Sequence, residues 1–259
     1  MPGIEAILQH VVPFLLVVMR MAGLFVFAPL IASPLFTAKF RSLLAVMMSL
    51  AIYPSLPASA QIPPDVDLIM LAPLAVSEIL IGLAIGLMSL MPLIAVEVAG
   101  MLMGYQMGLA LARAFNPDAQ TQGAILGRFL FFLAMAAFLN LDGLEVLFLS
   151  LAETFGNVPA GAFGVDRAPV DLFIGIITSG YDLALRVASP VVCAILLQTV
   201  AMGFIMKTMP QINILSVGFA IKILSGMTIL TASLFVIDGL IHEHIAYVLG
   251  LIMEWASSL

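Results

Sequence analysis

Two acidic residues near the middle of the chain are the first place to look for catalysis. Asp142 and Glu145 stand one helical turn apart, a spacing at which two carboxyl groups can share acid and base roles. No histidine, cysteine or serine stands beside them to complete a nucleophile and its base. Because glycine tolerates the backbone turn at a helix end, Asp142 followed by Gly143 more simply predicts the end of a helix.

The tripeptide His242-Glu243-His244 has the composition of a metal site but not its spacing. A zincin helix places its two histidines four residues apart on one face, whereas residues two apart point about 200° apart on a helix. The sequence also contains no Walker-type glycine-rich loop, no Gly-x-Ser-x-Gly elbow and no dinucleotide fingerprint. We therefore predict that the protein is not an enzyme and has no catalytic residue, metal ligand or cofactor.

Ionised side chains inside the apolar segments share helix faces with glycines. Residues four apart lie on one face of a helix, and glycine on such a face lets another backbone approach closely. A charge that faced lipid would cost about 2.5–3.5 kcal/mol or more, so these faces are predicted to meet protein or a water-filled path. The predicted helix-packing and interface residues are Arg20, Glu78, Gly82, Gly86, Glu97, Gly100, Gly104, Gly108, Gly218, Lys222 and Gly226.

A different function would use the same carboxylates to carry charge. In a secondary transporter, Glu78, Glu97 and Asp182 could bind protons or ions near the middle of the membrane. Asp182 stands four residues before Arg186, so these two side chains could also neutralise each other on one helix face. From the residues alone, a transporter stays open as the alternative to a subunit of a larger membrane assembly.

Composition places the chain in a membrane. Of its 259 residues, 63% are hydrophobic and 9% are charged, whereas soluble domains have about 45–50% apolar and about 25% charged residues. The formal net charge of −6 argues against a nucleic-acid partner. The single cysteine, Cys193, excludes a disulfide within one chain and is predicted to be a small buried apolar residue.

The apolar segments predict an all-α integral membrane protein of kinked helices and helical hairpins. They cover roughly 11–32, 42–57, 68–110, 124–151, 170–206 and 212–237, with an amphipathic tail at 238–259. Segments 68–110 and 170–206 are too long for one simple span, and prolines at 73, 92 and 190 could break or mildly kink them. We predict a single domain over 1–259, with a possible division into 1–165 and 166–259.

A methionine-rich stretch precedes a polar turn in the middle of the chain. Methionine is unbranched and deformable, so residues 101–107 could close around irregular contents. Residues 115–122, Phe-Asn-Pro-Asp-Ala-Gln-Thr-Gln, contain strong turn formers between two apolar segments. Such a turn could occlude a conduit, or it could simply connect two helices.

The order and spacing of motifs along the chain resemble those of one known family. The FliR-type flagellar biosynthesis proteins, and their SctT-type relatives in virulence type III secretion, carry similar motifs. The residues that carry the resemblance are Arg20-x-x-Gly23, Pro29, Pro34, Arg41-x-x-Leu44-Ala45, Pro54, Glu78-x-x-x-Gly82-x-x-x-Gly86, Ala99-Gly100, Gln106-x-Gly108, Phe115-Asn116-Pro117, Asp142-Gly143, Met209-Pro210-Gln211-x-Asn213, Gly218, Lys222 and Gly226. Lys207 and Leu144 depart from the family pattern, which expects arginine and histidine there.

The resemblance implies a hetero-oligomeric export gate in the bacterial inner membrane, at the flagellar basal body. Its expected partners are FliP-type, FliQ-type and FlhB-type subunits, membrane lipid and the unfolded flagellar subunits that pass through the pore. The resemblance places a plug at Phe115, Asn116, Pro117, Asp118, Gln120 and Gln122, and it favours this role over a simple connection. We predict pore-facing side chains at Met103, Gln106 and Met107.

Overall fold

A computed structural model describes residues 2–55, 68–109, 125–159, 169–208 and 214–259, and every regular element in these ranges is a helix. The helices are α1 (Pro2–Phe27), α2 (Ala38–Ile52), a 3₁₀ turn (Tyr53–Ser55), α3 (Leu68–Gln106), α4 (Ile125–Asn140), α5 (Gly143–Asn157), α6 (Val170–Thr208) and α7 (Ile214–Ser258). The all-α prediction is confirmed.

Four of the described helices contain segments long and apolar enough to cross a membrane. They lie at His10–Phe27 in α1, Leu71–Gln106 in α3, Val170–Thr208 in α6 and Val217–Ser258 in α7. Because about 20 residues suffice to cross the hydrocarbon core, the last three are each much longer than a single crossing requires. Length and composition therefore agree with the prediction of an integral membrane protein.

The apolar run predicted at 124–151 is divided into two helices. α4 and α5 meet at a bend of 61°, and Asp142 between them has a left-handed backbone with φ 51°. Aspartate tolerates this conformation better than most residues because its short side chain bonds locally. Gly143 follows beneath the Phe138 ring, where a Cβ would overlap the ring. The sequence predicted a helix end at Asp142-Gly143, and the residue that adopts the left-handed backbone there is Asp142.

The two long segments with internal prolines remain continuous helices. α3 runs through positions 73 and 92, and α6 runs through Pro190. These prolines therefore do not break either helix. The amphipathic tail predicted at 238–259 is helical, and it is the continuation of α7. Ile237, Ile241, Ile245 and Val248 are all buried, so one apolar face passes through the predicted boundary.

The chain forms two compact units that are interleaved along the sequence. The first comprises Met1–Met91, Phe138–Ile176 and Ala246–Leu259, and the second comprises Pro92–Ala137 and Ile177–Ile245. The buried side chains of the first unit include Leu16, Met21, Leu24, Ile81, Ile85 and Phe155, and those of the second include Val96, Met103, Leu130, Val187, Val191 and Ile241. The single-domain organisation stays a prediction, and no unit boundary lies between residues 165 and 166.

Candidate functional site

A buried ion pair joins α1 to α3 in the first unit. The Arg20 Nε donates to Glu78 Oε2 at 2.5 Å, and Nη2 donates to Glu78 Oε1 at 3.1 Å. Both side chains are 0% exposed. A guanidinium and a carboxylate that meet through two parallel hydrogen bonds form the strongest common type of ion pair in proteins. Each charge, costly to bury alone, is therefore matched by its partner.

The remaining donors of Arg20 bind the C-terminal end of α5. Nη1 donates to Thr154 Oγ1 at 2.9 Å, and Nη2 also donates to the carbonyl oxygen of Val158 at 3.3 Å. The guanidinium carbon lies 3.9 Å from the centre of the Phe155 ring. A cation is favourable at this end of a helix because the last carbonyl groups carry partial negative charge. Arg20 of α1 thus binds both α3 and the C-terminal end of α5. We call these residues, Arg20, Glu78, Thr154, Phe155 and Val158, the arginine cluster.

Two glycines allow α1 and α3 to come close enough for the pair to form. A Cβ at Gly82 would overlap the carbonyl oxygen of Arg20 and lie 2.6 Å from the amide nitrogen of Leu24. A Cβ at Gly86 would lie 2.7 Å from the carbonyl oxygen of Leu24. The atoms in the way are backbone atoms, which cannot move as a flexible side chain can. The structure thus brings four of the predicted packing residues together at this contact.

A second close approach joins α3 to α4 in the second unit. A Cβ at Gly100 would lie 2.6 Å from the Cα of Gly127 and 2.6 Å from the carbonyl oxygen of Leu126. A Cβ at Gly127 would lie 2.9 Å from the carbonyl oxygen of Glu97. Gly127 was not among the predicted packing residues, although its spacing from Gly123 was a visible signal. Glu97 itself is half-buried, and Gly104 is buried.

The three predicted pore-facing residues lie at the C-terminal end of α3, with Met107 one residue beyond it. Met103 and Met107 are fully buried within the chain, whereas Gln106 is exposed. α3 ends at Gln106, and Gly108, two residues later, has a left-handed φ of 82°, which suits a residue without a side chain. That these residues line a pore stays a prediction. The predicted plug residues, Phe115, Asn116, Pro117, Asp118, Gln120 and Gln122, lie outside the described residues.

The side chain of Met107 packs against Gly226 of α7. A Cβ at Gly226 would lie 2.6 Å from Cε, 2.8 Å from Cγ and 3.0 Å from Sδ of Met107. The Met107 side chain therefore occupies the space that a side chain at Gly226 would need. On the same helix, Gly218 is buried and Lys222 is half-buried. Ser225 Oγ donates to Gln198 Oε1 on α6 at 2.7 Å.

The long helices α6 and α7 are covered much less than α3. In an 18-residue apolar window of each helix, 17% of the residues are buried in α6 and in α7, against 61% in α3. Asp182 Oδ2 and Arg186 Nε of α6 pair at 2.8 Å, with both side chains more than half exposed. Cys193 is also exposed, so the prediction of a buried cysteine is wrong for this chain alone. Its side chain lies on a face of α6 that the chain itself does not cover.

The residues considered for catalysis and for metal binding lie at the start of α5 and on α7. Asp142 and Glu145 are exposed at the start of α5. The His242 Nδ1 lies 3.0 Å from the carbonyl oxygen of Asp238, one turn earlier on α7. Within the described ranges, no group of three histidine, cysteine, aspartate or glutamate side chains is placed to hold a metal ion.

Comparison with known proteins gives consistent matches over most of the chain. The profile of the bacterial export proteins, family 1, matches residues 11–248. The flagellar biosynthetic protein FliR of Escherichia coli K12 is 29% identical over 219 residues, which cover 83% of this chain and 81% of that protein. FliR of Bacillus subtilis 168 is 27% identical over 237 residues, or 86% of each chain. The Yop proteins translocation protein T of Yersinia pestis is 25% identical over 221 residues, or 84% of each chain.

Proposed function

This chain belongs to the bacterial export proteins, family 1, and we propose that it is a non-enzymatic subunit of the flagellar type III protein export gate. The family predicted from the motifs is confirmed. The observation that carries the proposal is the match over residues 11–248, together with relatives named for flagellar biosynthesis and for Yop protein translocation. The relatives cover more than four fifths of this chain, so the proposal concerns the protein as a whole.

The uncovered surfaces of α6 and α7 support assembly with other subunits. An exposed ion pair within a membrane-spanning helix would be unfavourable against lipid, so protein is the better covering for the Asp182–Arg186 face of α6. We propose that FliP-type, FliQ-type and FlhB-type subunits provide that covering in the bacterial inner membrane, at the flagellar basal body. Membrane lipid covers the remaining apolar surface, and nucleic acid has no part in the complex.

The pore of this gate would pass unfolded flagellar subunits across the membrane. Gln106 is exposed at the end of α3, and it is our first candidate for a side chain that faces the pore. Met103 and Met107 belong to the same proposal, because a deformable methionine can adjust to irregular contents. The plug role of residues 115–122 is proposed from family membership alone.

A secondary transporter has no observation in its favour. The Glu78 carboxylate, which would have carried a proton or ion, is bound through both oxygens by Arg20. The Asp182 carboxylate is paired with Arg186. Carboxylates whose charge is already matched by arginine are poor candidates for reversible binding of cations.

Purification in mild detergent tests the gate against the transporter. The tagged chain should co-purify with two other small hydrophobic proteins, and deleting its gene should stop export of flagellar subunits. A single, monodisperse protein that accumulates a solute in liposomes would refute the gate. A complex that forms in cells without flagellar genes, and that exports virulence proteins, would shift the assignment to a virulence secretion system.

A further inference from the structure

The contact between Met107 and Gly226 fixes how the last turn of α3 is rotated. The Met107 side chain is 0% exposed, and three of its atoms lie within 3.0 Å of the position that a Cβ on Gly226 would take. Its amide N–H still donates to the Met103 carbonyl oxygen at 3.0 Å. Met107 is therefore tied both to α3, through its backbone, and to α7, through its side chain.

The neighbouring residue points away from this contact. Successive residues of a helix point about 100° apart, so burial of Met107 directs Gln106 to another side of the same turn. Gln106 and Tyr105 are indeed exposed. Gly108, two residues beyond the end of α3 at Gln106, has a left-handed backbone. The rotation of the turn depends on what Met107 packs against.

We infer that Met107 and Gly226 are positioning residues, which together hold Gln106 towards the export path. The inference rests on the proposed function, because it takes the exposed side of the last α3 turn to face the transported chain. Gly226 contributes by having no side chain, which leaves room for the thioether on α7. A change in the position of α7 would then change the direction of Gln106 without any contact between Gln106 and α7.

A crosslinking experiment in the assembled complex tests this positioning. The exposed Cys193 is first replaced by serine, and Gln106→Cys then supplies the one thiol of the chain. An export substrate that carries its own cysteine and a folded, non-exportable domain is arrested in the pore, and disulfide formation with Gln106→Cys is measured. We expect a clear crosslink, and adding Gly226→Ala or Met107→Ala should reduce its yield and slow the export of a normal substrate.

Two further variants separate positioning from a general loss of structure. Gly239→Ala adds the same methyl group to the same helix, where nothing lies within 4 Å, and it should leave the crosslink and export unchanged. Met107→Ala combined with Gly226→Leu moves the bulky side chain from α3 to α7. If Met107 and Gly226 act by packing against each other, this exchange should recover much of the crosslink yield that either single change loses. If each change only damaged the fold, the double variant would give a lower yield than either single variant.

The contact itself can be tested with a pair of cysteines. Met107 Cγ lies 2.8 Å from a Cβ on Gly226, and one more carbon–carbon bond adds about 1.5 Å. The two Cβ atoms of Met107→Cys with Gly226→Cys would thus lie at most about 4.3 Å apart, inside the range of disulfides. Mild oxidation should link α3 to α7 in the assembled complex.

The possible results distinguish failure of the inference from failure of the proposed function. If Gln106→Cys crosslinks the arrested substrate equally well with and without Gly226→Ala and Met107→Ala, the pore is real and the positioning role is refuted. If Gln106→Cys never reaches the substrate although the complex exports normally, the proposed pore-facing role fails, and the positioning role fails with it. Failure of the cysteine pair to link would refute the contact directly.

Discussion

Removing the negative charge from the arginine cluster should destabilise the first unit strongly. Glu78→Gln keeps the size of the side chain and one carbonyl acceptor, but it leaves the Arg20 cation without a counter-charge at 0% exposure. Thr154 Oγ1, the Val158 carbonyl and the Phe155 ring still contact the guanidinium. None of these carries a full negative charge, so the burial of the cation is no longer balanced.

The expected size of the effect follows from the two hydrogen bonds and the burial. A hydrogen bond to a charged group contributes about 1.5–3 kcal/mol, and losing one gives the lower limit for this substitution. Breaking a fully buried pair by removing one partner typically costs about 3–5 kcal/mol. We therefore expect Glu78→Gln to lower the free energy of unfolding by about 3–5 kcal/mol.

Two matched variants make the prediction specific. Arg20→Met combined with Glu78→Leu removes both charges and should cost less than Glu78→Gln alone, because a buried pair can often be replaced by apolar side chains of similar volume. Asp182→Asn removes one partner of the exposed pair on α6. Since exposed pairs contribute about 0.2–1 kcal/mol, this variant should remain close to wild type.

Equilibrium unfolding of the purified chain in mild detergent, followed by far-ultraviolet circular dichroism, measures all three effects. The order of stability should be wild type, Asp182→Asn, the apolar double variant and then Glu78→Gln. Equal losses from Glu78→Gln and Asp182→Asn would contradict the view that burial decides what an ion pair contributes here. A double variant less stable than Glu78→Gln would show that the cluster acts through the hydrogen bonds of Arg20 and not through charge balance.

Other substitutions test the close helix contacts and the loops. Gly82→Ala should reduce the amount of complex on native gels, because the new methyl group meets the backbone of α1. Gly239→Ala, with open space around it, should instead gain up to about 1 kcal/mol of helix stability. Equal amounts of complex from the two variants would refute the contact between α1 and α3. Asp142→Gly should be tolerated and Asp142→Val should lose about 1–2 kcal/mol in thermal unfolding, because β-branched residues resist the left-handed backbone. Deleting residues 116–122 should leave assembly intact and make the complex leak small molecules; unchanged membrane permeability would count against a plug.

The sequence by itself determined the helical class, the membrane setting and the family. These depend on local properties, namely the length of apolar runs and the order of short motifs, which are visible without knowing which helices meet. The prediction that charges such as Arg20 and Glu78 avoid lipid also needed only the cost of an exposed charge in hydrocarbon. The spacing of the glycines predicted that another backbone could approach the helix faces that contain Gly82, Gly86 and Gly100.

Only the tertiary structure decided which residues are partners. Arg20 meets Glu78 across 58 positions of the chain and Thr154 across 134 positions, and Met107 meets Gly226 on a different helix. Contacts between residues so far apart follow from how whole helices pack, and no local pattern encodes them. For the same reason, the exposure of Cys193 could not be predicted from its neighbours in sequence.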